Sequence, residues 1–382
     1  MRYLILILIF CLSVPAGAEE GAGTDWALHP LTLEDVFRME GIGRAMVDGS
    51  GQAILFERIR PYESLPDYGF GTYAYAKSGH EIWRLDLTRD TPPERLSGQR
   101  PDAHVYLHSQ SPDGRYLSLV ELHEGRAGLA LLDLRTGQMI RPQPAPALSR
   151  LGAQEPAWIS GDSFVYAALP DGAQPLETSI RMATGAARDA AWRDAWRGDR
   201  VTATEIRTDQ GRRRLEGRLV RVDLRTGDAH ILAEGGYEHL SVSPDGRFLA
   251  ALALSRGPDA YPRDKARLDA RHHDLHLIDL ETGTVRAAAP GLDIQSAGVS
   301  WSANGARLAF FAVQPGETRA QGQHHVLDVA QGDVMAVPHP GLDLVSERER
   351  GLLQRPERAY LLQQGLAVFA RPHEENDPGA AG

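Results

Sequence analysis

The stretch RHHDLHLIDL at 271–280 sets His272, Asp274 and His276 at alternate positions. Alternate residues of a β-strand share a face, so two imidazoles and a carboxylate could approach one divalent cation there. His324 and His325 are adjacent, point to opposite faces and cannot act together. A second chemistry is recognition. The stretch RPYESLPDYGFGTYAYAKSGH (60–80) carries Tyr62, Tyr68, Phe70, Tyr73 and Tyr75 among glycines and prolines, and RMATGAARDAAWRDAWRGDR (181–200) carries Trp192 and Trp196. Amphipathic aromatics on adaptable backbone suit the binding of a peptide. The plainer alternatives are a hairpin extension with its own small aromatic cluster, and a tryptophan stripe docked on its own scaffold.

Context weakens the metal reading. In the other units of the chain the same position is simply a strand running into Asp-Leu, where alternating histidines would lie on an exposed surface. The expectation is no bound metal and no cofactor. Cys11 is the only cysteine, which removes thiolate nucleophiles and thiolate metal sites from the mature chain. No Gly-x-Ser-x-Gly, His-Glu-x-x-His, phosphate loop or dinucleotide fingerprint occurs. A net charge of −10 provides no basic footprint for nucleic acid.

The elements that would position these residues are repeated. SPDGRYLSLV begins at Ser111 and SPDGRFLALA at Ser243; LLDLRTGQ (131–138) follows the first and LIDLETGT (277–284) the second. Each phrase is a tight turn joined to a strand, with proline presetting φ and glycine taking the conformation that other residues resist. DGSGQAILFERI (48–59), SGDSFVYAAL (160–169) and SANGARLAFFAV (302–313) repeat the first phrase more loosely. The Asp-Leu-type phrases start at Asp86, Asp133, Asp223, Asp279 and Asp328, at intervals of 47, 90, 56 and 49. A period of about 50 residues carrying roughly four short strands is the blade of a β-propeller. The fold class expected is therefore all-β: five units, with 349–372 reading as the start of a sixth. Two insertions, 60–80 and 170–218, interrupt the propeller, and the second holds a helix ending near Gly198.

At the amino end, MRYLILILIFCLSVPAGAEE has one positive charge, an apolar run and small residues, the layout of a signal peptide over 1–18. It predicts an exported, periplasmic chain that does not span the membrane. Residues 19–43 form a leader with a short helix opened by Thr32 and Asp35, 44–372 the propeller, and 373–382 a polar tail.

The leader helix before Ser-Pro-Asp-Gly turns resembles the amino-terminal part of the prolyl-oligopeptidase family of serine peptidases; TolB-like propellers share the turns. The exported form with the aromatic stretch at 62–75 and AWRDAWRGDR is most similar to the lasso peptide isopeptidases. That resemblance implies a propeller that selects peptide substrates for an α/β-hydrolase domain, and the hydrolase triad has no counterpart in these 382 residues. If the family ring has seven blades, this chain stops before closing it. The resemblance makes Tyr62, Tyr68, Phe70, Tyr73, Tyr75, Trp192 and Trp196 the substrate-binding candidates, with a peptide or a hydrolase domain as partner. The competing expectation is a non-catalytic TolB-like module that binds or scaffolds periplasmic proteins.

Overall fold

The computed structural model describes residues 30–64, 79–173, 193–198, 217–255, 272–294, 299–344 and 359–372, apart from short breaks at 97, 101–102, 124–125, 150–151, 154, 195, 315–316, 318–320 and 369. Helix α1 (Leu33–Arg38) opens as expected. The Thr32 hydroxyl accepts the Asp35 N–H while the Asp35 carboxylate accepts the Thr32 N–H, so two otherwise orphaned donors are satisfied.

Five antiparallel meanders follow. The first is β1 (Gly41–Val47), β2 (Ala53–Ile59), β3 (His80–Asp86) and β4 (Glu94–Arg95), so its first strand takes up the end of the leader. The second is β5 (His104–Gln110), β6 (Tyr116–His123), β7 (Arg126–Asp133) and β8 (Met139–Ile140). A small ladder of β9 (Leu148–Ser149) and β10 (Gly152–Ala153) precedes the third, made of β11 (Ala157–Trp158), β12 (Ser163–Ala168), β13 (Arg218–Asp223) and β14 (Ala229–Glu234). The fourth is β15 (Tyr237–Val242), β16 (Phe248–Ser255), β17 (His272–Asp279) and β18 (Val285–Ala287). In the fifth, β19 (Asp293–Ile294) and β20 (Ser300–Trp301) share the place of one inner strand beside β21 (Arg307–Val313), β22 (Gln323–Asp328) and β23 (Val334–Val337).

The repeated turns act as their composition dictates. In the second meander Ser111 Oγ donates to Asp113 and accepts the Tyr116 N–H, while Gly114, at φ 76°, donates to the Ser111 carbonyl. Ser243, Gly246 and Phe248 repeat the same bonds, as do Ser302, Gly305 and Arg307. Neighbouring turns touch: a Cβ on Gly161 would overlap the Asp113 carboxylate, so the close approach there needs glycine.

Stacking of the sheets makes the core. Leu55 and Ile82 of the first pack on Leu117 and Leu119 of the second, and Leu129 and Leu131 of the second on Phe164 and Tyr166 of the third. Val165 and Leu219 of the third then meet Leu249 and Ala251 of the fourth, whose Leu252 and Leu275 meet Leu308 and Phe310 of the fifth. The second, third and fourth sheets are apolar on both faces and are covered by their sequence neighbours, which is the packing of propeller blades. The expected sixth unit differs from a blade: β24 (Leu342–Leu344) pairs with β27 (Ala370–Pro372), and β25 (Ala359–Leu362) pairs with β26 (Gly365–Val368), giving two short ladders. Among the described residues no helix is long and apolar enough to cross a membrane.

The seams carry different loads. Phe310→Ala empties a site that is 1% exposed and should cost about 3–5 kcal/mol, whereas Phe56→Ala, on the half-buried outward face of the first blade, should cost less than half of that; guanidinium denaturation midpoints measure both.

Candidate functional site

An antiparallel meander sends its connections alternately to its two ends. All the Ser-Pro-Asp-Gly and Asp-Leu turns therefore lie at one end of the blades, and every second-to-third strand connection lies at the other. At this second end the chain leaves Ile59 and returns at His80, leaves Ala168 and returns at Arg218, and leaves Ser255 and returns at His272. The two insertions singled out in the sequence thus share one end of the molecule with a third long connection, 256–271.

A buried carboxylate and its histidine lie toward the same end, and other ionisable groups extend from them along the inner strands. The registers align the five blades on Asp86, Asp133, Asp223, Asp279 and Asp328, and place Glu57 level with Val120, Ala167, Leu252 and Phe311. A carboxylate therefore stands where the other blades bury an apolar side chain. It is 5% exposed and fully engaged: Oε1 accepts the Leu107 N–H at 2.6 Å, and Oε2 accepts the Arg44 N–H at 3.0 Å and lies 3.1 Å from His80 Nδ1. The bulge in β1 between Ile42 and Ala45 creates the space, since a Cβ on Gly43 would overlap the Glu57 carboxylate. Burial pushes the Glu57 carboxyl up, but the His80 contact and the two backbone N–H groups outweigh it and hold it below its ordinary range.

Arg44 sits in the same bulge on the innermost strand of the first blade. Its Nη1 donates to Glu155 Oε1 at 2.6 Å and to the Leu107 carbonyl at 3.4 Å. Glu155 leads into the third blade, so the ion pair joins blades that are not neighbours and crosses the opening lined by inner strands. His108, next along β5, is 5% exposed; burial, with the Arg44 charge, drives its pKa down to about 4, and its Nδ1 has no partner among the described residues. A related pair lies at the fourth seam, where His273, aligned with His80, faces Glu238 at 3.5 Å and donates its backbone N–H to Asp293.

The expected site residues are placed unevenly. Tyr62 begins a 3₁₀ turn, Tyr62–Ser64, beside α1, with Glu63 3.5 Å from Arg38. Tyr68, Phe70, Tyr73, Tyr75 and Trp192 lie outside the described residues. Trp196 lies in a helical turn that closes at Gly198, at φ 80°, and is 89% exposed, so it is not docked on the scaffold. His272 starts β17, Asp274 is half-buried, and His276 lies under Tyr237, with Nδ1 3.1 Å from its hydroxyl. The histidine-rich strand is thus no exposed surface: it runs inside its sheet between β16 and β18, and His273 is 4% exposed. Among the described residues no three His, Asp or Glu side chains are arranged to hold a metal ion. His324 and His325 do take opposite faces, one against Phe311 and His339, the other stacked on Phe310. Glu57, His80, Arg44 and Glu155 carried no motif; aligning the blades on their closing Asp would have exposed Glu57 as the one charge in an apolar column.

No family model and no curated protein matches the sequence. Among solved structures the chain is similar to a TolB of Agrobacterium tumefaciens, at 14% identity over 88% of this chain and 91% of that one, with a TM-score of 0.40. It is also similar to the acylaminoacyl peptidase of Pyrococcus horikoshii, at 10% identity over 87% of this chain and 43% of that one, with a TM-score of 0.46. A prolyl endopeptidase gives 13% identity, 88% of this chain, 39% of that one, and a TM-score of 0.47. The fold is a β-propeller. At these identities the likeness is one of fold, and the chain spans less than half the length of either peptidase.

Two outcomes test the buried cluster. Glu57→Val restores the apolar column yet strands two N–H groups, and should destabilise by at least about 2 kcal/mol in urea melts. His108 is uncharged in the fold and protonates readily once unfolded, so its contribution is complete above pH 6.5 and is lost as pH falls toward about 4. Between pH 7 and 5 the wild type should lose roughly 2 kcal/mol more stability than His108→Gln.

Proposed function

We propose that this chain is the substrate-selecting propeller of an exported prolyl-oligopeptidase-type serine peptidase that acts on isopeptide-closed lasso peptides, its chemistry residing in an α/β-hydrolase domain. The observation that carries the reading is the segregation of the two ends. One end is built of tight turns that satisfy their own hydrogen bonds and hold the blades in register. The other end sends out all three long connections, among them the one bearing the 89% exposed Trp196. A tryptophan left in water is the kind of anchor that a peptide buries on binding. Loops held on a rigid scaffold are where recognition residues concentrate.

Fluorescence titration of the purified chain with a threaded lasso peptide and with its linear, unthreaded form tests this. The expected result is tighter binding of the threaded form, weakened at least tenfold by Trp196→Ala, about 1.4 kcal/mol. Failure of the threaded form to bind, binding of it no tighter than of the linear form, or equal binding to the Trp196→Ala chain, would overturn the reading in favour of a scaffold module.

A further inference from the structure

Four arginines among the described residues close on a carboxylate side-on. Arg58 binds Glu40 through Nε and Nη2, at 2.9 and 2.5 Å. Arg141 binds Glu121 in the same way, at 2.7 and 2.8 Å, and Arg115 turns both nitrogens onto Asp133. Arg225 presents the same edge to Asp223. This edge is the planar fork that matches the two oxygens of a carboxylate.

Arg44 is held differently, through a single nitrogen. Glu155 and the Leu107 carbonyl are both taken by Nη1, which leaves Nε and Nη2 without a protein partner among the described residues. The side chain is 46% exposed. It does not wander, because its own backbone N–H is tied to Glu57 and its guanidinium is tethered to two other blades. The fork edge is therefore open midway along the inner strand, beside a buried His108 ring whose Nδ1 also lacks a partner among the described residues. A guanidinium positioned by one nitrogen with its fork edge open is prepared for a second carboxylate.

We infer that Arg44 is an anchor for a peptide carboxylate, either the free carboxy terminus or an acidic side chain, which binds side-on to Nε and Nη2 while Glu155 holds Nη1. The inference rests on the peptide-binding reading above and names the chemical group that the propeller recognises. Glu155 has two effects: it orients the guanidinium, and it competes for its charge. Its neutralisation should therefore strengthen anchoring, the opposite of what general damage to the fold would do.

The test immobilises the full chain and offers it random N-acetylated heptapeptides of uncharged residues in three forms: carboxy-terminal acid, carboxy-terminal amide, and amide with one internal glutamate. Retention of the acid form at least tenfold above the plain amide identifies the carboxy terminus, and equivalent retention of the glutamate form identifies a side chain; either supports the anchor. Arg44→Lys, which keeps the charge and loses the fork, should abolish the preference, and Glu155→Gln should increase it severalfold. Equal retention of all three forms, or a preference that survives Arg44→Lys, overturns the anchor and leaves peptide binding standing. Retention of none overturns the anchor, and the titration with the threaded peptide then decides the peptide-binding reading. If Arg44→Lys does not fold, the Glu155→Gln chain decides alone, since an unchanged or weakened preference there also overturns the anchor.

Discussion

A sheet that is apolar on both faces cannot be stable in water by itself, and everything in this molecule follows from covering such sheets. Leu55 has no core until Leu117 and Leu119 reach it, and Phe310 has none until Leu252 does. The blades are thus each other's solvent. Burying a leucine or phenylalanine side chain is worth about 1.5–3 kcal/mol, and each seam repeats that gain many times. The tight turns matter because they set the register that brings those side chains opposite one another. A one-residue slip would turn every apolar residue of a strand to the wrong face.

Against that background the first seam is unusual. It spends a central position on Glu57, and the bulge of β1, the glycine within it and the inner edge of β5 are all arranged to satisfy that carboxylate. A buried charge is tolerable only when its hydrogen bonds are made, and here they are. The result is a polar staple midway along the first seam, while the neighbouring positions stay apolar.

The sequence announced the blades because turn chemistry is local: Ser-Pro-Asp-Gly and Asp-Leu-x-Thr-Gly each specify their bonds within a few residues. It announced the capped leader helix for the same reason. The Glu57 cluster was not legible in this way, since Arg44, His80, Leu107 and Glu155 are brought to it from separate strands and blades. The histidine-rich strand misled in the opposite sense. Its alternating pattern looked exposed, whereas a strand flanked by two others in a stacked blade is covered on both faces, as His273 shows. The helical periodicity around Trp196 suggested docking on the scaffold, where the structure leaves the ring in water.

In a stack of repeats each unit feels only its neighbours, so such chains tend to open one unit at a time. The Arg44–Glu155 contact breaks that rule by joining the first blade to the third over the edge of the second. The consequence is a modest coupling, about 1 kcal/mol at most for a pair whose side chains are each 46% exposed, that the first and third blades share across the second.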